Sequence, residues 1–223
     1  MKKRYKICGV LVDGREESLR GVECADIVEV RADLVGENWD EIPPRLTKPW
    51  IFTDRRLFSG KDAERRGKKI PKNLDRALSL GASFVDFAIE HSSEKLIKHC
   101  QKNGAKVVVS YHNFSETPPV EELRMFLNVM RETNADICKL ATFANSLFDN
   151  AVPLAILGAF ASSSDITAFC MGKLGTISRI LAPVFGACFT YASAQKGLES
   201  AEGQLAVSEV RLILDKLENS NED

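Results

Sequence analysis

The chain has 223 residues, 44% of them hydrophobic, and its 30 basic and 31 acidic side chains leave a net charge of -1. That balance gives no bulk attraction for nucleic acid or an anionic membrane. Lys2, Lys3 and Arg4 precede too short an apolar run for a signal peptide, and no run reaches membrane-spanning length, so a cytoplasmic protein is expected. The six cysteines (Cys8, Cys24, Cys100, Cys138, Cys170, Cys188) show no CxxC spacing. A zinc site is therefore not expected, and the thiols read as reduced.

Eight short apolar runs alternate with helical patterns. They are 7–12, 26–31, 50–53, 84–89, 106–111, 136–141, 166–171 and 186–191. Between the fifth and sixth, Leu123, Phe126, Leu127 and Met130 repeat at helical spacing, as do Ala206, Val210, Ile213 and Leu217 near the end. Pro118-Pro119 can open the helix after the fifth run, and Pro71 or Asn73 the one after the third; Gly81 and Gly104 can close two others. Alternating strand and helix predicts a parallel sheet, and eight units predict a single α/β domain over 1–223, a (β/α)8 TIM barrel. The competing open, doubly wound sheet lacks its phosphate loop, because Val10-Leu11-Val12-Asp13-Gly14 is not GxGxxG. The tail, 218–223, reads as disordered.

In a barrel, chemistry collects at the carboxyl ends of the strands. Those positions hold Glu29 and Arg31, Arg55, Asp86, His112, Lys139 and, after the last two strands, Arg179, Ser200 and Gln204. Each has an ordinary reading. Glu29 and Arg31 share a strand face and could pair with each other. His91 and His99 lie in a polar helical stretch and read as surface residues. Lys139 sits inside the apolar Ile137-Cys138-Lys139-Leu140-Ala141, where its ammonium either snorkels to water or is buried for chemistry. Burial favours the neutral amine, a nucleophile toward carbonyls. With a histidine on the neighbouring strand to move protons and arginines for a carboxylate, the ring suits imine chemistry on a small polyhydroxylated keto acid.

VVVSYHN (107–113), ADICKLA (135–141) and MGKLGTISRI (171–180) resemble the type I 3-dehydroquinate dehydratases, as do VEVRADL (28–34) and SAEGQ (200–204). The resemblance spans nearly the whole chain, in order. It implies a (β/α)8 barrel, often dimeric, that acts on 3-dehydroquinate in the shikimate pathway with no metal or organic cofactor. It further implies that Lys139 forms the Schiff base and His112 is the general base and acid. Arg179 would bind the substrate carboxylate with Ser200 and Gln204 on a closing loop; Glu29, Arg31 and Arg55 would hold the ring hydroxyls; Met171 and Tyr191 would form apolar walls. Three positions depart from the pattern. Ser59 stands where a glutamate orients the histidine, Ala88 where a second acid is usual, and Phe169 where methionine is common. Asp86 as a substitute for the orienting acid, a glutamate shifted by the loop rearrangement, and reduced turnover are the alternatives the sequence leaves open. A Schiff-base aldolase, and a barrel that binds without turnover, are the competing readings.

Overall fold

The computed structural model describes residues 5–57, 70–162 and 165–219. Eight parallel strands run in one sheet: β1 (Ile7–Leu11), β2 (Ile27–Arg31), β3 (Trp50–Thr53), β4 (Phe84–Ala88), β5 (Lys106–His112), β6 (Ile137–Phe143), β7 (Ile166–Met171) and β8 (Thr190–Ser193). The helices between them are α1 (Glu16–Gly21), α2 (Ala32–Val35), α3 (Lys72–Ser79), α4 (Glu94–Lys102), α5 (Val120–Glu132), α6 (Ala151–Phe160), α7 (Thr176–Leu181) and α8 (Val207–Asn219). The spatial order β7-β6-β5-β4-β3-β2-β1-β8 is sequential, with the last strand on the first. That is a (β/α)8 barrel; a doubly wound sheet reverses its order at a switch point. Among the described residues no ladder joins β7 to β8. The seam is held by the Cys188 N–H on the Ile166 carbonyl at 2.9 Å and the Thr167 hydroxyl on the Phe189 carbonyl at 2.7 Å.

Strand alternation sorts the side chains into two cores. One face of each strand packs under the helices in a cluster that includes Val28, Val30, Phe52, Val107, Val109 and Leu140. The other face points into the barrel, and its lower half is apolar: Cys8, Val10, Ile27, Ile51, Val108 and Ile137. Two residues further along the same faces come Glu29, Ser110 and Lys139, all buried. The polar ring therefore rests on a packed apolar floor.

The repeated Ala-Asp-Ile that opens β2 and β6 has a mechanical use. Asp26 accepts from the Ile7 N–H at 2.8 Å, and Asp136 from the Val107 N–H at 2.8 Å, so each carboxylate ties the strand before it. Arg211 of α8, 6% exposed, pairs with Asp26 and donates to the Tyr5 carbonyl at 3.0 Å, locking the barrel's amino end.

Two expectations are corrected. The eighth strand was placed at 186–191, but the ladder begins at Thr190. Gly186 adopts φ +100° and the Ala187 N–H still returns to the Ala182 carbonyl, so the chain straightens late. Glu218 and Asn219, expected in a disordered tail, belong to α8, and the Glu218 carboxylate accepts from the Tyr5 N–H at 2.5 Å. The rest of that tail lies outside the described residues, as does Ser59. Among the described residues, no helix is long and apolar enough to cross a membrane.

Candidate active site

A cavity of about 320 Å³ opens at the carboxyl ends of the strands. Every side chain expected at the site lines it except Asp86, which is fully buried behind Lys139. The register explains the grouping: Ala88 of β4 lies beside Ser110 of β5, and Ser110 beside Lys139 of β6. His112 is two residues beyond Ser110 on the same inner face.

Lys139 is 5% exposed and does not snorkel. Its Nζ lies 3.0 Å from Asp86 Oδ2 and 3.9 Å from Glu29 Oε1, and sits 4.0 Å from the centre of the Tyr191 ring. The buried ammonium is therefore compensated, not stranded. Asp86 Oδ1 lies 3.0 Å from Arg55 Nη1 and accepts from the Ser110 hydroxyl at 2.7 Å. Burial alone would raise the Asp86 carboxyl, but the Arg55 guanidinium and then the Lys139 ammonium hold it well below the usual carboxylate range. Glu29 and Arg31 do not pair. Glu29 accepts from the Thr53 hydroxyl at 2.8 Å, and Arg31 grips Asp33 with two bonds of 2.9 and 2.7 Å.

His112 lies under Phe114, ring centres 5.7 Å apart and nearly parallel. Burial, and then the positive charges of Arg55 and Lys139, push the imidazole well below its ordinary 6.5, so it is neutral and able to accept a proton at neutral pH. Asp86 is one of the alternatives for orienting this ring, and its oxygens are committed to Lys139, Ser110 and Arg55. The register explains it, since Asp86 is level with Val108 of β5, two inward positions below His112.

Arg179 is 4% exposed, and among the described residues its Nε and Nη2 have no hydrogen-bond partner. Its guanidinium lies 4.4 Å above the Phe169 ring, the aromatic that replaces the common methionine. Burial pulls it down to about 10. The backbone that carries it is fixed from several sides. The Ser178 hydroxyl accepts from the Cys170 N–H at 2.9 Å, Asn150 Oδ1 accepts from the Ser178 N–H at 3.0 Å, and the Thr190 hydroxyl donates to the Arg179 carbonyl at 2.7 Å.

After β8, Gln204 Oε1 accepts from the Ser200 N–H at 2.9 Å and its hydroxyl at 3.2 Å, which sets both side chains at the rim. The loop docks on the turn after β7. Gly172 N–H meets the Glu202 carbonyl at 3.0 Å, and a Cβ on Gly203, at φ +84°, would stand 2.1 Å from the Gly172 carbonyl oxygen. Met171 and Tyr191 are buried and line the cavity. Sequence reasoning missed Phe114, 74% exposed at the mouth, and misplaced His91, which a short turn after β4 brings to the rim with Glu90. Their positions within three residues of a strand's carboxyl end were the available signal. His99 pairs with Asp75 at 2.8 Å, away from the cavity.

Fold and cavity together define a (β/α)8-barrel enzyme with a buried lysine, a buried histidine and, among the described residues, an arginine with two unsatisfied nitrogens at the carboxyl ends of its strands. The profile of the type I 3-dehydroquinase family matches residues 11–221. A 3-dehydroquinate dehydratase of Dehalococcoides mccartyi is 38% identical over 212 residues, 92% of each chain; one of Thermococcus onnurineus is 35% identical over 190 residues, 84% of this chain and 85% of its own. Among solved structures, the 3-dehydroquinate dehydratase of Aquifex aeolicus superposes with a TM-score of 0.77 at 28% identity, covering 95% of this chain and 98% of its own. The Clostridium difficile type I enzyme, at 24% identity, shares the fold with a TM-score of 0.75 over 97% of this chain and 93% of its own. The chain belongs to the type I 3-dehydroquinase family, and it is a hydro-lyase.

Proposed function

We propose that the protein removes water from 3-dehydroquinate to give 3-dehydroshikimate, in the cytoplasm and on the shikimate route to aromatic amino acids, through an imine on Lys139. The observation that carries this reading is the pairing of opposites across one cavity: a compensated buried lysine, and a buried arginine with free donors. Arg179 takes the substrate carboxylate, which supplies the charge that the guanidinium lacks. The ketone then lies toward Lys139. Nζ adds to the carbonyl carbon, and water leaves as the iminium forms. The iminium draws electrons from the adjacent carbon, whose proton passes to neutral His112. The enamine expels the β-hydroxyl, which leaves as water with the proton returned by His112, and hydrolysis frees Lys139. Glu29, Arg31 and Arg55 hold the ring hydroxyls, Ser200 and Gln204 close the carboxylate end, and Met171 and Tyr191 are the apolar walls. No metal or organic cofactor enters these steps.

The competing reading is a barrel that binds without turnover. It is favoured by one observation: among the described residues, no carboxylate hydrogen-bonds His112. We also propose a homodimer through the turn before α6 and the face of α7, where Phe148 is 87% exposed and Leu147 and Ile177 are exposed. The test of function is incubation with 3-dehydroquinate and borohydride, followed by intact mass and peptide mapping. An adduct on Lys139, absent from Lys139→Ala, together with the conjugated enone in untreated samples, is expected. An adduct without enone supports the binding barrel, and no adduct on a folded protein refutes the imine.

A further inference from the structure

Asp86 is the one expected site residue that does not line the cavity, and it accepts a hydrogen bond from Lys139. We propose that Asp86 is the counter-ion of the iminium that forms on Lys139, a role that rests on the imine reading above. Three adjacent strands build the arrangement. Ser110 on β5 and Lys139 on β6 are register partners, and Asp86 on β4, one inward position lower and level with Val108, reaches up to both, so the spacing is set by the strands and not by a loop. Both carboxylate oxygens are committed. Oδ1 is held by Arg55 at 3.0 Å and Ser110 at 2.7 Å, and Oδ2 accepts from Nζ at 3.0 Å. Ser110 is itself fixed, since its oxygen also lies 3.2 Å from the Phe87 carbonyl and 3.0 Å from Arg55 Nη1.

The chemistry keeps this pair intact. An ammonium and a ketone give an iminium and one water: R–NH3⁺ plus O=CR2 becomes R–NH⁺=CR2 plus H2O. The nitrogen begins and ends with one positive charge, so an anion placed for the ammonium is placed for the iminium, whose single N–H points at Oδ2. During attack the amine must shed a proton, and Asp86, fixed as an anion by Arg55, is not the acceptor. Neutral His112 on the next strand is. What the counter-ion does is keep the imine protonated. A protonated imine is the electron sink that elimination needs, and a neutral imine is a poor one.

The other charges around Nζ do not substitute for Asp86. Glu29 is 3.9 Å away, and the oxygen nearest Nζ already accepts from Thr53. Arg31, Arg55 and Arg179 are positive and oppose an iminium. Cys8 and Tyr191 face the lysine's side of the barrel as neutral groups, because burial, and then the Glu29 charge, push both well above their ordinary values.

The test is Asp86→Asn, which keeps the shape and removes the charge. With 3-dehydroquinate, kcat should fall about 10²-fold, the scale of losing one preorganised electrostatic partner. KM should change far less. The alkaline limb of the kcat profile should move to lower pH, because an imine without its anion loses its proton more easily. Borohydride should still trap Lys139 in the variant at acidic pH, with the yield falling earlier than in the wild type as pH rises. A variant with the wild-type limb overturns the counter-ion, as does a Glu29→Gln protein in which the limb moves instead. Should Asp86→Asn fail to fold, the unreduced wild-type intermediate decides, observed by NMR without borohydride on substrate labelled with ¹³C at the ketone carbon. A protonated iminium throughout the pH range of the folded enzyme is expected, and a neutral imine overturns the assignment. Absence of any wild-type adduct on Lys139 refutes the imine itself, and is distinguishable from an adduct whose pH limb ignores Asp86.

Discussion

Two buried cations share this cavity, and the protein treats them in opposite ways. Lys139 has Asp86 at 3.0 Å, Glu29 at 3.9 Å and the face of Tyr191 beside it. Arg179 has an aromatic ring under it and, among the described residues, no hydrogen-bond partner for Nε and Nη2. The difference follows from what each must do. A nucleophile changes bonding during the reaction, so its charge needs a companion at every stage. A carboxylate receptor is complete only when its ligand arrives, so an internal carboxylate would compete with that ligand. One cation is finished by the fold, the other by the substrate.

The sharpest way to break the comparison is to replace each cation by methionine. Lys139→Met should lower kcat on the order of 10⁴-fold or more, as for other nucleophile deletions. It should also lower Tm, because Asp86 keeps Arg55 and Ser110 but loses one buried partner, about 1–2 kcal/mol of stability. Arg179→Met should leave the lysine chemistry in place and raise KM about 10²-fold, the loss of one buried charge pair with the ligand. Its Tm should rise, by about 1 kcal/mol in stability, since an uncompensated buried charge is removed. Opposite signs in Tm are the discriminating result; a fall for both would mean that Arg179 is structurally paired.

His112, on the strand beside that of Lys139, sharpens the contrast at smaller scale. His112→Asn should slow elimination about 10²–10⁴-fold, the range for a positioned acid–base group. Its effect on stability is gentler and has a definite sign. The folded imidazole titrates well below 6.5, so between those two values the unfolded chain binds the proton and the folded one does not. Stability is then full above pH 6.5 and falls as pH drops toward the folded value. Urea titrations across that window should show this slope in the wild type and a flatter one in the variant.

Much of this was legible in the sequence, for a physical reason. A strand's period of two fixes which residues share a face, so Glu29, His112 and Lys139 could be placed inside the barrel from their spacing within apolar runs. Partnerships across strands were not legible. They depend on stagger, which gives Asp86 to Lys139, where a contact with His112 was one of the open alternatives. Short-range competition was also invisible: Arg31 is taken by Asp33, two residues away, where Glu29 had been considered. The eighth strand was placed early because Phe189 and its neighbours are apolar, and apolarity alone does not distinguish a turn that packs from a strand that pairs.

The contact between Gly203 and Gly172 has a further consequence. Because the loop bearing Ser200 and Gln204 rests backbone on backbone against the turn after β7, its ordering is completed when the chain folds. Conformational entropy that a mobile lid would lose at each encounter with ligand is lost here once. Binding at this end of the cavity should therefore carry a small entropic penalty. Any side chain at position 203, though it touches no reacting atom, would return that penalty to every turnover.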